Sequence, residues 1–434
     1  RYHSPMLDVL ARKQLQFTEA EALALDAADA LRDWRSKFSI PRENGREVAY
    51  FCGNSLGLQP RAARDAVTEV LDDWATMAVD AHFKGKHPWF PYHEFCREAA
   101  ARLVGAQSHE VVMMNGLTVN LHLLMATFYR PTPARRKILI ESTAFPSDIY
   151  ATQTQIAWHG FDPGDDLLVA QPRPGEHTLR TEDIVALLER EGSSIALVML
   201  GAVNYFTGQR FDLREITRAA HAAGCIVGVD CAHAAGNVPL SLHDDDVDFG
   251  AWCTYKYLNS GPGSVAGAFV HERHARNIDL PRLGGWWGND PQSRFRMHLN
   301  ERFQPVATAD AWQLSNPPIL SLAAVRASLE IFDAVGMETL WNKSRAMIAY
   351  MEQALAALPA GAIEVITPRD LAHRGCQWSL MVHEQPQEFQ KRLQAAGVVG
   401  DFRPPNVVRI APVPLYNSFH DLWRFREVMH SLIG

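Results

Sequence analysis

Two residues of this chain have types and spacing that suit covalent chemistry. Asp230 ends the apolar run Cys225-Ile226-Val227-Gly228-Val229, which is entered through Gly224. Lys256 follows the next apolar segment, Val247–Cys253, and sits between Tyr255 and Tyr257 ahead of a Gly261-Pro262-Gly263 turn. Burial disfavours the charged form of an amine, and a neutral lysine amine attacks aldehydes. A buried Asp can keep a pyridinium nitrogen protonated. Together the two residues suit pyridoxal phosphate, an aldehyde cofactor that serves as an electron sink. Taken alone, they are equally compatible with a surface lysine and a helix-capping aspartate.

The elements that must position them follow an α/β pattern. Strands are expected at Val111–Asn115, Lys137–Glu141, Asp166–Ala170, Ile195–Leu200 and Cys225–Val229. Helices are expected at Phe145–Trp158, Thr181–Arg190 and Leu213–Ala223, between those strands. Such alternation predicts a mainly parallel sheet whose ligands sit at the carboxyl ends of the strands. Gly116–Thr118, Phe145–Asp148 and Asp230–His233 all fall at such ends. The step from strand through Gly116 and Thr118 into a helix offers backbone N–H groups to a phosphate, although Thr118 also suits an ordinary N-cap. After Lys256, Ser264–Val270 is placed to run back across the sheet. Helices are expected over 7–38, over 61–79, from about Ile319, and over Glu338–Leu358. The change in character after about residue 320 marks a smaller α+β domain. The expected division is a large domain at 50–320 and a small one at 1–49 and 321–434.

Other stretches leave two readings open. Gly53-Asn54-Ser55-Leu56-Gly57-Leu58 is either a tight loop or a backbone that approaches a ligand. The basic and aromatic run Ala81–Phe90 reads as a pocket-lining loop or a solvated one. Arg409 lies inside the apolar run Val407–Ala411, where a charge is costly unless paired. It can grip a ligand carboxylate or form an internal ion pair.

Composition narrows the classes. The 434 residues are 47% hydrophobic and 21% charged, with a net charge of −7, which suits a globular protein of two or three domains and argues against a nucleic-acid surface. No apolar run reaches the ~20 residues that span a bilayer. The segment Arg1-Tyr2-His3-Ser4-Pro5 lacks the apolar core of a secretory leader. Six scattered cysteines without a C-x-x-C pair read as reduced core residues of a cytoplasmic protein, and no metal site is expected.

Taken in order, these motifs resemble the kynureninases, fold-type-I pyridoxal-phosphate enzymes of the aminotransferase class V group. The resemblance covers most of the chain. It rests on Gly53–Leu58, Gly85-Lys86-His87-Pro88-Trp89, Asn115–Asn120, Phe145-Pro146-Ser147-Asp148, Asp230–His233 and Tyr255–Asn259. It continues through Gly285-Trp286-Trp287-Gly288, Ser315-Asn316-Pro317-Pro318 and Arg409–Asn417. It implies that Lys256 carries the cofactor, that Asp230 pairs with the pyridine nitrogen, and that Phe145 stacks on the ring. Pro146, Ser147, Asp148 and His233 would lie in the cofactor site, with Leu117, Thr118 and Tyr255 on the phosphate. Trp286 and Asn316 would complete the site across a homodimer. Arg409 would hold the substrate carboxylate, and Asn54 would lie beside the substrate.

The family reaction is hydrolysis of kynurenine or 3-hydroxykynurenine to anthranilate or 3-hydroxyanthranilate plus alanine, in tryptophan catabolism and NAD biosynthesis. By the same resemblance, His82, Ser315 and Asn316 imply a pocket of the 3-hydroxykynurenine type. One departure is Gly201, where some relatives carry a hydroxyl residue. The rival readings are another class V enzyme, such as an aminotransferase or a cysteine desulfurase using Cys376, and a non-catalytic scaffold on the same fold.

Overall fold

The computed structural model describes residue 10 and residues 15–292, 294–299, 302–359, 361 and 363–433. In chain order, α1 (Glu19–Ala28), α2 (Arg61–Met77) and α3 (Glu94–Val104) precede the main sheet. The helix expected over 7–38 is shorter than its Ala/Leu content predicts, and residues 1–9 and 11–14 lie outside the described ones. Thr18 caps the N-terminus of α1 by accepting from the Glu21 N–H, while Phe17 takes a positive φ of 54°. At the other end Asp29 is extended, and its carboxylate pairs with buried Lys343 at 2.7 Å. Local capping and a tertiary ion pair therefore override propensity.

The main sheet has seven strands: β1 (Val111–Met113), β2 (Lys137–Glu141), β3 (Leu167–Ala170), β4 (Ile195–Gly201), β5 (Ile226–Asp230), β6 (Phe249–Trp252) and β7 (Gly267–Val270). Their order is β1-β7-β6-β5-β4-β2-β3. Only β7 runs antiparallel to its neighbours, as expected of a strand crossing back after Lys256. Alternate residues serve the two faces. Leu139, Val198, Leu200, Val227 and Val229 join one core, and Ile138, Ile140, Leu197 and Met199 the other. This is the period-2 signature of a strand buried on both faces. Helices α4 (Leu117–Phe128) and α5 (Pro146–Trp158) cover one face. On the other lie α6 (Thr181–Glu191), α7 (Leu213–Ala222) and α8 (Ile319–Val335), together with α2 and α3.

A separate core joins α1, α9 (Met337–Ala356), α10 (Pro386–Ala395) and α11 (Phe419–Ile433) to a four-stranded sheet. That sheet holds β8 (Ile363–Val365), β9 (Trp378–Val382), β10 (Asp401–Arg403) and β11 (Val407–Ile410), in the order β8-β9-β11-β10. Leu322, Ala323, Val325, Leu329 and Phe332 of α8 pack with α2 and α3 in the main core. We therefore propose a domain boundary near residue 335 rather than 320, because α8 buries its apolar stripe against the large domain. Among the described residues, no helix is long and apolar enough to cross a membrane.

Candidate active site

The carboxyl ends of β2, β4 and β5 open into one cavity of about 240 Å³. Glu141, Gly201 and Asp230 close those strands and line it. Gly116, Leu117, Thr118, Phe145, Ser147, Asp148, Tyr205, His233, Tyr255 and Lys256 complete most of its wall.

Two helix N-termini meet here. Between β1 and α4, Asn115 adopts a positive φ of 48°, and Asn120 ties the turn by donating to the Met114 carbonyl at 2.9 Å. Gly116 is the N-cap and offers no side chain, so the first N–H groups of α4 remain for a ligand. A Cβ placed on Gly116 would meet nothing within 4 Å. The start of α5 lies alongside, with the Thr118 and Ser147 hydroxyls 2.9 Å apart. Two positive helix ends and two hydroxyls make a cradle suited to a phosphate.

Opposite that cradle stand the ionisable groups. Lys256 is buried, with its Nζ 3.1 Å from His233 Nε2 and 5.5 Å from the centre of the Phe145 ring. Burial, and then the Lys256 charge, hold His233 well below its usual pKa. A neutral His233 accepts from Lys256 through Nε2, which leaves its proton on Nδ1. That buried N–H has no partner among the described residues. Burial, followed by the charge of neighbouring Asp230, raises the pKa of Asp148 well above the ordinary carboxylate value. The Asp148 Oδ1 is buried without a partner. Asp230 Oδ1 accepts from the Ala232 N–H at 2.6 Å. Glu141 is pushed up to about 7, chiefly by burial, which outweighs the donors that reach it, among them the Gly201 N–H at 3.2 and 3.3 Å. Tyr255 is raised by burial and by neighbouring Cys253.

These groups fit pyridoxal phosphate. The cradle suits its phosphate, Lys256 its aldehyde, and the exposed face of Phe145 its ring. The orphaned Asp148 oxygen beside Asp230 suits a protonated ring nitrogen, since a buried acceptor without a donor is costly to leave unmade.

The cavity thus gathers Leu117, Thr118, Phe145, Ser147, Asp148, Asp230, His233, Tyr255 and Lys256 from the residues expected. Pro146 opens α5 at the surface beside it. Arg409 and Asn54 are buried outside the cavity wall, Arg409 against the wall residue Tyr205. Arg409 pairs with Asp401 and donates to the Tyr205 carbonyl at 2.6 Å, so the internal ion pair is formed. Asn54 donates to Gln377 at 2.9 Å and keeps an unpartnered Oδ1. Ser315 and Asn316 are exposed and His82 and Trp286 are partly exposed; none of them lines this cavity within one chain. Cys376 is buried, and its thiol is pushed up to about 12 by that burial, which is unlike a mobile reactive thiolate.

Sequence reasoning missed Glu141 and Tyr205. Glu141 carried the same signal as Asp230, an acid closing an apolar strand. Tyr205 carried none, because its place depends on the turn after β4.

A family model described as the kynureninase C-terminal domain matches residues 340–429. A protein named kynureninase from Myxococcus xanthus is 56% identical over 418 residues, covering 96% of this chain and 98% of its own. Another of that name, from Koribacter versatilis, is 52% identical over 417 residues, covering 96% and 98%. Among solved structures, the apo cysteine desulfurase of Thermococcus onnurineus superposes with a TM-score of 0.73 at 18% identity, over 92% of this chain and 97% of its own. The cysteine desulfurase CsdA of Escherichia coli gives the same TM-score and identity over 93% and 99%.

Proposed function

Because the chain belongs to the kynureninase family, a family of pyridoxal-phosphate-dependent hydrolases that cleave a carbon–carbon bond of kynurenine, we propose the following roles for its residues and a preference for 3-hydroxykynurenine. The observation that carries the roles is one cavity holding a buried lysine, an orphaned His233 N–H and an orphaned Asp148 oxygen beside a phosphate-ready pair of helix starts.

When bound, the cofactor supplies an electron sink for charge developing on the substrate carbon skeleton. Lys256 would hold it through its aldehyde, and the free Lys256 amine is placed to remove the proton at the substrate Cα. Neutral His233 accepts from the lysine and keeps it aimed at that carbon. Asp230 would keep the ring nitrogen of the cofactor protonated, with Asp148 beside it as a second acid. Leu117, Thr118 and Ser147 grip the phosphate, with Tyr255 beside them. The Tyr255 hydroxyl, raised in pKa and therefore protonated, moves a proton at the substrate γ-carbonyl as water adds there. Cleavage of the Cβ–Cγ bond then releases anthranilate or its 3-hydroxy form, and alanine. Arg409 holds the α-carboxylate, with Asn54 nearby.

The preference rests on residues outside the single-chain cavity. His82 lies beside an exposed aromatic patch in which Phe83 and Phe295 are 64% and 54% exposed, with ring centres 6.0 Å apart. Trp286 reaches the same patch, 6.3 Å from Phe295. Exposed apolar surface of this kind favours association. We assign it to a homodimer in which His82, Trp286, Ser315 and Asn316 complete the neighbouring site, in a protein working in the cytoplasm. A His and an Asn amide can both hydrogen-bond a ring hydroxyl, and sites built that way discriminate strongly.

The experiment is release of the two anthranilates by the holoenzyme. 3-Hydroxykynurenine is expected to show the higher kcat/KM, by about tenfold or more. His82→Ala and Asn316→Ala should erase that ratio. Tyr255→Phe should slow turnover far more than it weakens cofactor binding. A wild-type preference for kynurenine overturns the pocket assignment, and unchanged turnover in Tyr255→Phe overturns its proton role.

A further inference from the structure

The carboxylate subsite has a charge problem that Arg409 cannot solve alone. Arg409 is fully buried on β11, and its register partner across the hairpin with β10 is Asp401. The two form an ion pair, so the charge of Arg409 is already answered within the protein. A second guanidinium shares the same carboxylate: Arg403 Nη2 donates to Asp401 Oδ2 at 2.9 Å. Two cations and one anion leave a net charge of +1, which is what a substrate carboxylate needs.

Neither arginine is in the cavity wall, but both pack against one ring that is. Their guanidinium carbons lie 5.9 Å (Arg403) and 5.7 Å (Arg409) from the centre of Tyr205. Tyr205 lines the cavity and packs edge-on against Phe145 at 5.1 Å. The Nε of each arginine is buried without a partner among the described residues. The side chain of Arg403 remains about a third exposed, whereas that of Arg409 is sealed. The field of both arginines reaches His233 inside the cavity.

We propose that Arg403 is a substrate-binding residue that supplies the uncompensated positive charge selecting an α-carboxylate, while Asp401 bridges it to Arg409 and holds the two as one clamp. This rests on the reading that the substrate is an α-amino acid. A neutral Arg409–Asp401 pair by itself would give an incoming anion little electrostatic reason to stay, whereas a charge-assisted fork would.

The test uses the holoenzyme with Arg403→Gln, Arg403→Lys and, as a surface control, Arg173→Gln. Three quantities are read: KM and kcat for kynurenine, the equilibrium Kd of the product L-alanine, and the inhibition constant of decarboxylated kynurenine, which lacks the carboxylate. In Arg403→Gln, KM and the alanine Kd are expected to rise about tenfold or more, with a smaller change in kcat. The inhibition constant of the decarboxylated amine should stay put, Arg403→Lys should recover part of the loss, and Arg173→Gln should change nothing. Unchanged KM and Kd in Arg403→Gln overturn the proposal. So does a parallel weakening of the decarboxylated amine, which would mark general damage to the site. A wild-type holoenzyme that releases no anthranilate overturns the hydrolase reading instead, and alanine binding still reports on Arg403.

Discussion

The two ends of the main sheet hold acids of similar burial and opposite character. At the amino end, Asp248 precedes β6 and is 2% exposed. It accepts from His221 at 2.8 Å, His274 at 2.7 Å, Arg273 at 2.5 Å and the Val227 N–H at 2.7 Å. These donors outweigh burial and hold Asp248 far below the ordinary carboxylate range. Glu110, wholly buried at the same end, accepts from the Gln107 and Glu272 N–H groups and from His243. At the carboxyl end, Asp148 and Glu141 are pushed upward, and Asp148 has an oxygen with no donor. Burial alone therefore says little about a carboxylate. The number of donors aimed at it separates an acid that holds the fold from one that awaits a ligand.

That contrast can be broken most forcefully at Lys256. Lys256→Ala is expected to lower turnover by at least about a thousandfold, since it removes both the covalent anchor and the base. The visible absorbance of the lysine-bound cofactor should vanish with it. The unfolding temperature of the cofactor-free protein should hardly move, because among the described residues the one hydrogen-bond partner of the Lys256 amine is a neutral histidine. A variant that unfolds early would place Lys256 among the structural residues instead.

Asp248→Asn probes the other end and should show the reverse pattern. It removes a charge that two histidines, an arginine and a backbone N–H converge on, leaving those donors partly unanswered. The expected cost is about 3 kcal/mol of folding free energy, read by denaturant unfolding. Turnover per folded molecule should stay within about twofold, because no cavity residue touches Asp248. A large fall in kcat with stability intact would erase the distinction between the two ends.

The same contrast explains which features were legible in the sequence. The sheet was readable because strands such as Ile195–Gly201 are apolar on both faces and end in turn residues. Lys256, Asp230 and His233 were readable because chemistry in such folds gathers at strand ends. Glu141 was harder to see: its meaning comes from Gly201, sixty positions away, where a Cβ would stand 2.9 Å from its Oε1. The absence of a hydroxyl at Gly201 noted in the sequence thus has a steric counterpart. The ion pair of Arg409 needed the register of the β10–β11 hairpin, which no local pattern specifies. His82, Trp286, Ser315 and Asn316 lie outside the single-chain cavity, so their assignment rests on motif order and not on geometry within the chain.

The smallest expected effect is also the most specific, because pH should act on the two ends in different ranges. Glu141 and Asp148 have raised folded-state pKa values, so the folded protein retains protons that the unfolded chain releases. Their contribution to stability is fully present below the ordinary carboxylate pKa and is lost as pH rises through the folded value, about 7 for Glu141. Asp248 is depressed, so its contribution is present above the ordinary pKa and is lost only in strong acid. Between pH 5 and 8 the Asp248 contribution is therefore constant while that of the cavity acids declines. For Glu141 alone the decline is on the order of 3 kcal/mol at about 1.4 kcal/mol per pKa unit. His221 and His243, both raised by their carboxylate partners, lose stability over part of the same range, so the comparison must be made within a pair of proteins. In cofactor-free protein, wild type should lose more unfolding temperature from pH 5 to 8 than Glu141→Gln, which has no proton to release. Parallel slopes would mean that Glu141 is ionised throughout and that the carboxyl end of the sheet is no more strained than the amino end.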